Sequence, residues 1–177
     1  MRNRNSLIRD ARLIVIASEG KDTERIYFET LAKEYANPRV HVRILERNEQ
    51  EKNNSSPDYV LRQLNDVKAQ YSLESDDELW LLVDRDHWPK AMVKCANDAY
   101  MHMALSNPCI EVWLLLHLVD ATLLTPEERQ RWMENRRKSR NADPYLKVRL
   151  RQEMGAYHEA SYDAGMPVKH VREAIAR

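Results

Sequence analysis

The chain has 177 residues, of which 43% are hydrophobic and 32% charged, and its formal net charge is zero. This composition excludes an intrinsically disordered chain, because such chains combine low hydrophobicity with a large net charge. Two cysteines exclude a disulfide framework, and no apolar run approaches the roughly eighteen residues of a membrane span. We therefore expect one globular domain, residues 1–177, in a reducing cytoplasm and without membrane contact.

The first part of the chain predicts alternating strands and helices. Residues 12–18 are too few and too β-branched for a helix, and a helix with Asp22 as N-cap and Asn37-Pro38 as its stop follows. Periodicity then predicts a strand at 40–46, a helix from Pro57 to Tyr71, an apolar strand at 78–84, a short helix at 91–99 and a strand at 100–106. This alternation indicates a mostly parallel four-stranded sheet flanked by helices.

The rest of the chain predicts helices. Asn107 as N-cap and Pro108 as first helical residue open the segment "CIEVWLLLHLV", which is apolar nearly all round and is expected to be buried. After Thr125 we expect helix throughout, with breaks near 141–144 and 165–167. The predicted organisation is an α/β core at about 12–120 with a helical C-terminal extension at 121–177.

Acidic residues follow the first and third predicted strands. Glu19 ends the first strand, and Asp84 and Asp86 end the third, two residues apart in an extended backbone and so pointing the same way. Ligands of open α/β sheets bind outside the carboxyl ends of the strands. If the first and third strands are neighbours, three carboxylates converge there, and a hard divalent cation is one way to relieve their repulsion. Such a site suits phosphoryl chemistry.

Each acid also has a simpler structural interpretation. Glu24 falls in the first turn of its helix, where the helix dipole favours an anion, and Asp86 could cap the next helix. A DxD pair also holds metals in glycosyltransferases, and receiver domains carry acids after their first and third strands. The chain lacks the late strand ending in lysine that a receiver domain needs, and it is short for a glycosyltransferase.

Basic residues concentrate between residues 129 and 151, where nine Lys or Arg stand against two acids. Such a segment is either a solvated helix face or a surface that holds a polyanion through its phosphates. The candidates for contact with a nucleic-acid backbone are Arg136, Arg137, Lys138, Arg140 and Lys147.

Three motifs together resemble the RloB family of prokaryotic Toprim-like proteins. They are "SEGKDTERIYFETL", "LLVDRDHW" and "ALSNPCIEVWLLLHL", and their order and spacing carry the resemblance. The resemblance implies a Toprim-like fold and a Mg²⁺- or Mn²⁺-dependent nuclease of phage-defence systems, often encoded beside an ATPase. It also implies that Glu19 is an acid or base and metal ligand, that Asp84 and Asp86 are the metal-binding pair, and that Glu24 and Glu111 are secondary acids.

The third motif contains further candidates. Ser106 and Asn107 end the fourth predicted strand, on the same edge as the acids, and are candidates for phosphate contact. His117 is either a hydrogen-bonded core residue or a residue with a direct role.

We expect a hydrolase: a metal-dependent phosphodiesterase acting on DNA or RNA. The alternative is a catalytically silent effector or scaffold subunit that binds nucleic acid or an ATPase partner. The sequence does not distinguish DNA from RNA as the substrate, and it does not indicate a cleavage preference, an activating signal or an oligomeric state.

Overall fold

A computed structural model describes residues 11–46, 57–85 and 100–177. The sheet is built from β1 (Arg12–Ser18), β2 (Val40–Ile44), β3 (Glu78–Asp84) and β4 (Met101–Ser106). The helices between and after the strands are α1 (Thr23–Glu34), α2 (Pro57–Gln70), α3 (Ile110–Leu118), α4 (Pro126–Glu134), α5 (Tyr145–Met154), α6 (Gly165–Val168) and α7 (Val171–Ala176), with a 3₁₀ turn at Ala121–Leu123.

The four strands form one all-parallel sheet in the order β2-β1-β3-β4. β1 and β3 are therefore neighbours, as the convergence of their acids requires. The backbone N–H of Glu19 donates to the carbonyl of Leu82 at 3.0 Å, and Asp84 pairs with Ser106 across β3 and β4. The result is the α/β architecture, consistent with a Toprim-like fold, that the alternating pattern predicts.

Two apolar cores hold the elements together. On one face of the sheet, β1 and β3 pack against α2, with fully buried residues such as Val15, Leu64 and Leu79. The second core joins Tyr27 of α1 and Leu114 of α3 to the C-terminal helices, whose fully buried members include Leu146 and Leu150. α3 lies among these helices because it has no polar face to turn toward water. The prediction of one domain at 1–177 stays a prediction.

In the described ranges, no helix has both the length and the apolar character needed to cross a bilayer.

The start of α3 differs from the prediction. Asn107 is not the N-cap and Pro108 is not helical, because the helix begins at Ile110 with Cys109 as an extended N-cap (φ −157°, ψ 170°). The first helical N–H has a partner from outside the segment: Asp84 Oδ1 accepts a hydrogen bond from Ile110 N at 3.0 Å. A carboxylate on β3 thus replaces the local cap that Asn107 was expected to supply.

The helical breaks differ in extent and position. The predicted break near 141–144 is present, but within a longer loop, residues 135–144, which begins where Asn135 takes a left-handed conformation (φ 44°) and ends α4. The later break lies at residues 155–164, beginning at Gly155 (φ 74°), whereas Gly165–Val168 is itself a short helix. The predicted helix at 91–99 lies outside the described residues.

We predict that Leu114→Ala destabilises the fold, because Leu114 is fully buried in the second core. The expected loss is about 2 to 5 kcal/mol of unfolding free energy, from lost apolar contact and the remaining cavity. Urea denaturation followed by circular dichroism measures it. Leu123→Ala is the matched control, since Leu123 is 81% exposed and its truncation should change stability by less than about 0.5 kcal/mol. Equal effects of the two substitutions would contradict this packing.

Candidate active site at the carboxyl edge of the sheet

Four carboxylates belong to one site at the carboxyl ends of β1 and β3. Glu19 follows β1, Glu24 lies in the first turn of α1, Asp84 ends β3, and Glu111 lies in the first turn of α3. Glu24 and Glu111 are buried, and one oxygen of Glu19 is shielded from solvent. The negative charges of the three glutamates all act on Asp84. Asp86, the other member of the predicted pair, lies outside the described residues.

Gly20 lets Glu24 reach this site. The Glu24 carboxylate folds back over the Gly20 backbone, and a Cβ at position 20 would collide with it. The Ser18 hydroxyl donates to the carbonyl of Gly20 at 2.9 Å and so fixes the turn between β1 and α1. Gly20 thus separates two carboxylates of the site: Glu19 precedes it in the chain, and the Glu24 side chain packs over it.

The pKa of the Asp84 carboxyl group is strongly raised. Burial, followed by the charges of Glu24, Glu111 and Glu19, raises its pKa to about 8, against which the hydrogen bond from Ile110 N acts only weakly. At neutral pH the Asp84 carboxyl group therefore holds a proton for most of the time. A cation bound nearby would favour the ionised form and displace that proton.

A buried hydroxyl network holds Glu111. The Tyr157 hydroxyl donates to Glu111 Oε1 at 3.3 Å and lies 3.3 Å from Thr23 Oγ1, while the Tyr162 hydroxyl donates to the Thr23 carbonyl at 2.8 Å. Burial, then the charge of Glu111, raises the pKa of Tyr157, which therefore stays a neutral donor. No local motif marks Tyr157 and Tyr162 in the sequence, because their contacts join α1 and α3 to a segment more than forty positions away.

The remaining candidates of the third motif separate into two environments. Ser106 pairs with Asp84 in the sheet, and its carbonyl accepts a hydrogen bond from Arg85 N at 2.8 Å, so the predicted position of Ser106 and the adjoining Asn107 at the acidic edge is correct.

His117 lies in the second core. Its Nδ1–H donates to the Trp113 carbonyl at 2.7 Å, which leaves Nε2 to accept from the Tyr27 hydroxyl at 2.9 Å. Burial lowers the pKa of His117, which favours the neutral imidazole.

The basic loop at residues 135–144 is attached to the acidic edge. Asn135, its first residue, donates from Nδ2 to Cys109 Sγ at 3.4 Å and accepts from Leu146 N at 2.9 Å. Arg136 pairs with Glu134, and the next basic side chains of the loop are exposed, namely Arg137, Lys138 and Arg140. Lys147, on α5, pairs with Glu159 and lies 4.0 Å from Glu111 Oε1. Lys147 therefore lies next to the carboxylates and is not one of the exposed loop cations.

A protein-family model described as RloB-like protein matches residues 14–177, nearly the whole chain. The chain belongs to the RloB-like family. No significant match exists among curated proteins or among solved structures. Family membership therefore rests on the sequence over its length, and the site has to be judged on its own geometry.

The donor set of this RloB-like site fits a hard divalent cation in chemical type. The acids supply carboxylate oxygens, which Mg²⁺ and Mn²⁺ prefer to nitrogen or sulfur. Across residues 11–46, 57–85 and 100–177, no group of three or more His, Cys, Asp or Glu side chains forms a ready-made metal cage. Mg²⁺ does not require one, because it is usually held by one or two carboxylates together with waters and substrate phosphates.

We predict that the raised pKa of Asp84 makes the metal-free protein less stable as pH rises. The folded-state pKa of about 8 lies above the unfolded value of about 3.9, so the folded state retains this proton longer. The stabilisation is complete below about pH 4 and is lost progressively up to about pH 8, by at most about 1.4 kcal/mol per pH unit. Urea denaturation in EDTA across this range measures it. Asp84→Asn should remove this contribution, and identical pH profiles for both proteins would contradict the assignment.

Proposed function

We propose that this RloB-like protein is a metal-dependent phosphodiesterase that hydrolyses nucleic acid. The observation that carries the proposal is that Glu19, Glu24 and Glu111 all act on Asp84 at the carboxyl edge of a parallel sheet, where burial, followed by their charges, raises the pKa of Asp84 to about 8. Such a group has excess negative charge and would repel a phosphodiester. A divalent cation removes this conflict, since it binds carboxylates and phosphate oxygens together.

Glu19 and Asp84 are the proposed ligands, with Asp86 as an expected third. A bound Mg²⁺ or Mn²⁺ would polarise a phosphoryl oxygen and lower the pKa of a water molecule. Asp84 would give up its proton on holding the cation, so cation binding and proton release would be linked. Glu19 is the proposed acid or base for the attacking water or leaving oxygen, and Tyr157 keeps Glu111 oriented toward the site.

The basic loop supports nucleic acid as the substrate class. The exposed cations of the loop follow Asn135, which contacts Cys109 at the start of α3. The next residue along, Ile110, donates its backbone N–H to Asp84. A phosphate backbone held by Arg137, Lys138 or Arg140 would thus pass beside the carboxylates. Contacts of this kind hold a backbone without reading its sequence, so they are compatible with DNA and with RNA. The activity would suit a phage-defence protein working with an ATPase partner.

We predict cleavage of labelled DNA or RNA by the purified protein in Mg²⁺ or Mn²⁺, and none in EDTA. Asp84→Asn should lower the cleavage rate at least about a hundredfold, because the amide is a poorer cation ligand and cannot carry the proton. The amide oxygen can still accept from Ile110 N, so the fold should survive. Gel analysis of end-labelled oligonucleotides measures the rate.

Asp76→Asn is the matched control for this experiment. Asp76 is exposed in the turn before β3, at the opposite end of the strand, and its substitution should leave cleavage unchanged. Cleavage that persists in EDTA, or in both Asp84→Asn and Glu19→Gln, would refute the proposed site. Tight nucleic-acid binding by a pure protein that never cleaves would instead favour the effector or scaffold alternative.

We also predict that Arg137→Ala/Lys138→Ala weakens binding to DNA and RNA irrespective of sequence. If both cations contact phosphates, the slope of log affinity against log salt should fall by about one to two. Fluorescence anisotropy over a salt series measures it. The control is Lys33→Ala/Arg39→Ala, which removes two exposed cations near the amino edge of the sheet. Equal losses for the two double variants would show that general charge, and not this loop, holds the nucleic acid.

A further inference from the structure

An apolar cavity of about 440 Å³ opens beside the carboxylates, between α1, α3, β4 and α7. Its size falls within the range of small-molecule sites in proteins. Glu24, Asp84 and Ser106 form its polar end, and Phe28 and Trp113 contribute aromatic rings to its apolar walls. The cavity reaches the surface, because two of its wall residues, Leu105 and Ile175, are 43% and 72% exposed.

The chemistry of the walls restricts the occupant. Among the described residues that line the cavity there is no Lys or Arg, and its two carboxyl groups, Glu24 and Asp84, offer no positive charge, so a phosphate would not enter it. Burial, then the charge of Glu111, raises the pKa of Cys109, whose thiol is therefore a neutral part of the wall. The cavity suits an uncharged, flat ligand with one polar edge.

We propose that this cavity accepts an unstacked nucleobase, so that the substrate of the site is a single-stranded or unpaired stretch of nucleic acid. The inference rests on the proposed function. Asp84 and Glu24 line both the cavity and the carboxylate site, so a base in the cavity places its own sugar-phosphate at the carboxylates. Bases inside a duplex are stacked and paired, and only an unpaired or extruded base can enter such a pocket.

The aromatic walls supply the binding energy without sequence specificity. Stacking of a base on an aromatic side chain is tolerant of base identity, because every base has a π face. Ser106, at the polar end, can donate to or accept from the edge of the base. The basic loop then holds the flanking phosphates outside the cavity, where its exposed cations lie.

The test compares short fluorescent oligonucleotides by anisotropy, with Ca²⁺ in place of Mg²⁺ and with a denaturing gel to verify that the probes stay intact. The probes are single-stranded DNA, single-stranded RNA, the matching duplexes, and a strand of equal length made of abasic sites. We expect at least one base-bearing single strand to bind about fivefold or more tightly than both the abasic strand and its duplex. The tighter of the DNA and RNA strands identifies the substrate.

Two matched substitutions locate the effect. Val112→Phe fills this cavity. Val42→Phe places the same added volume at the β2 end of an adjoining cavity of about 790 Å³, which shares some lining residues with the first but not Val42. Val112→Phe should abolish the preference for bases and Val42→Phe should keep it. Leu116→Phe, one turn further along α3, fills the same cavity if Val112→Phe fails to fold by circular dichroism.

The outcomes separate this inference from the proposed function. Equal binding of base-bearing and abasic strands, a preference for duplex, or equal effects of Val112→Phe and Val42→Phe overturns the nucleobase cavity even if the protein cleaves. A base preference that Val112→Phe removes supports the cavity even if Asp84→Asn shows that no cleavage depends on the carboxylates.

Discussion

The hydrogen bond from Ile110 N to Asp84 Oδ1 is the contact on which the site depends. It joins the carboxyl end of β3 to the first turn of α3, and so it brings Glu111, the next residue along the helix, to the edge of the sheet. A carboxyl oxygen at a helix N-terminus is favourable as a hydrogen-bond acceptor, because the first N–H groups of a helix have no partner within the helix. The same contact therefore stabilises the fold and places two acids of the candidate site.

That arrangement concentrates negative charge, and the structure offsets it only in part. Gly20 makes room for the Glu24 carboxylate, and Tyr157 donates a hydrogen bond to Glu111. The remaining repulsion, added to burial, raises the pKa of Asp84 to about 8, so this side chain keeps its proton at neutral pH. A purely structural cap would be better served by an amide or a hydroxyl, which need no proton to remain neutral in such surroundings. A carboxyl group that is protonated in the absence of a cation and ionised in its presence is suited to binding that cation.

The sequence allows the sheet and its acidic edge to be predicted, because both depend on local pattern. β1 and β3 are continuous apolar runs, and the acids of a parallel sheet meet wherever their strands are neighbours. The start of α3 was predicted wrongly for one physical reason. The Asn107-Pro108 signal is local, whereas the actual partner of Ile110 N is Asp84, twenty-six positions earlier. Tyr157 likewise acts through contacts that only tertiary packing creates.

Although the formal net charge is zero, the fold brings together two surfaces of opposite charge. The acids collect at the sheet edge, while Arg137, Lys138 and Arg140 project from a loop whose first residue, Asn135, contacts the start of α3. A polyanion approaching the acids alone would be repelled, and one bound by the loop alone would have no reacting group near it. Under the proposed function, the loop would hold the backbone, a cation would screen the acids, and an unpaired base would occupy the apolar cavity beside them. Each of these steps would remove an electrostatic or steric barrier to the next, and this would require the two surfaces to be adjacent.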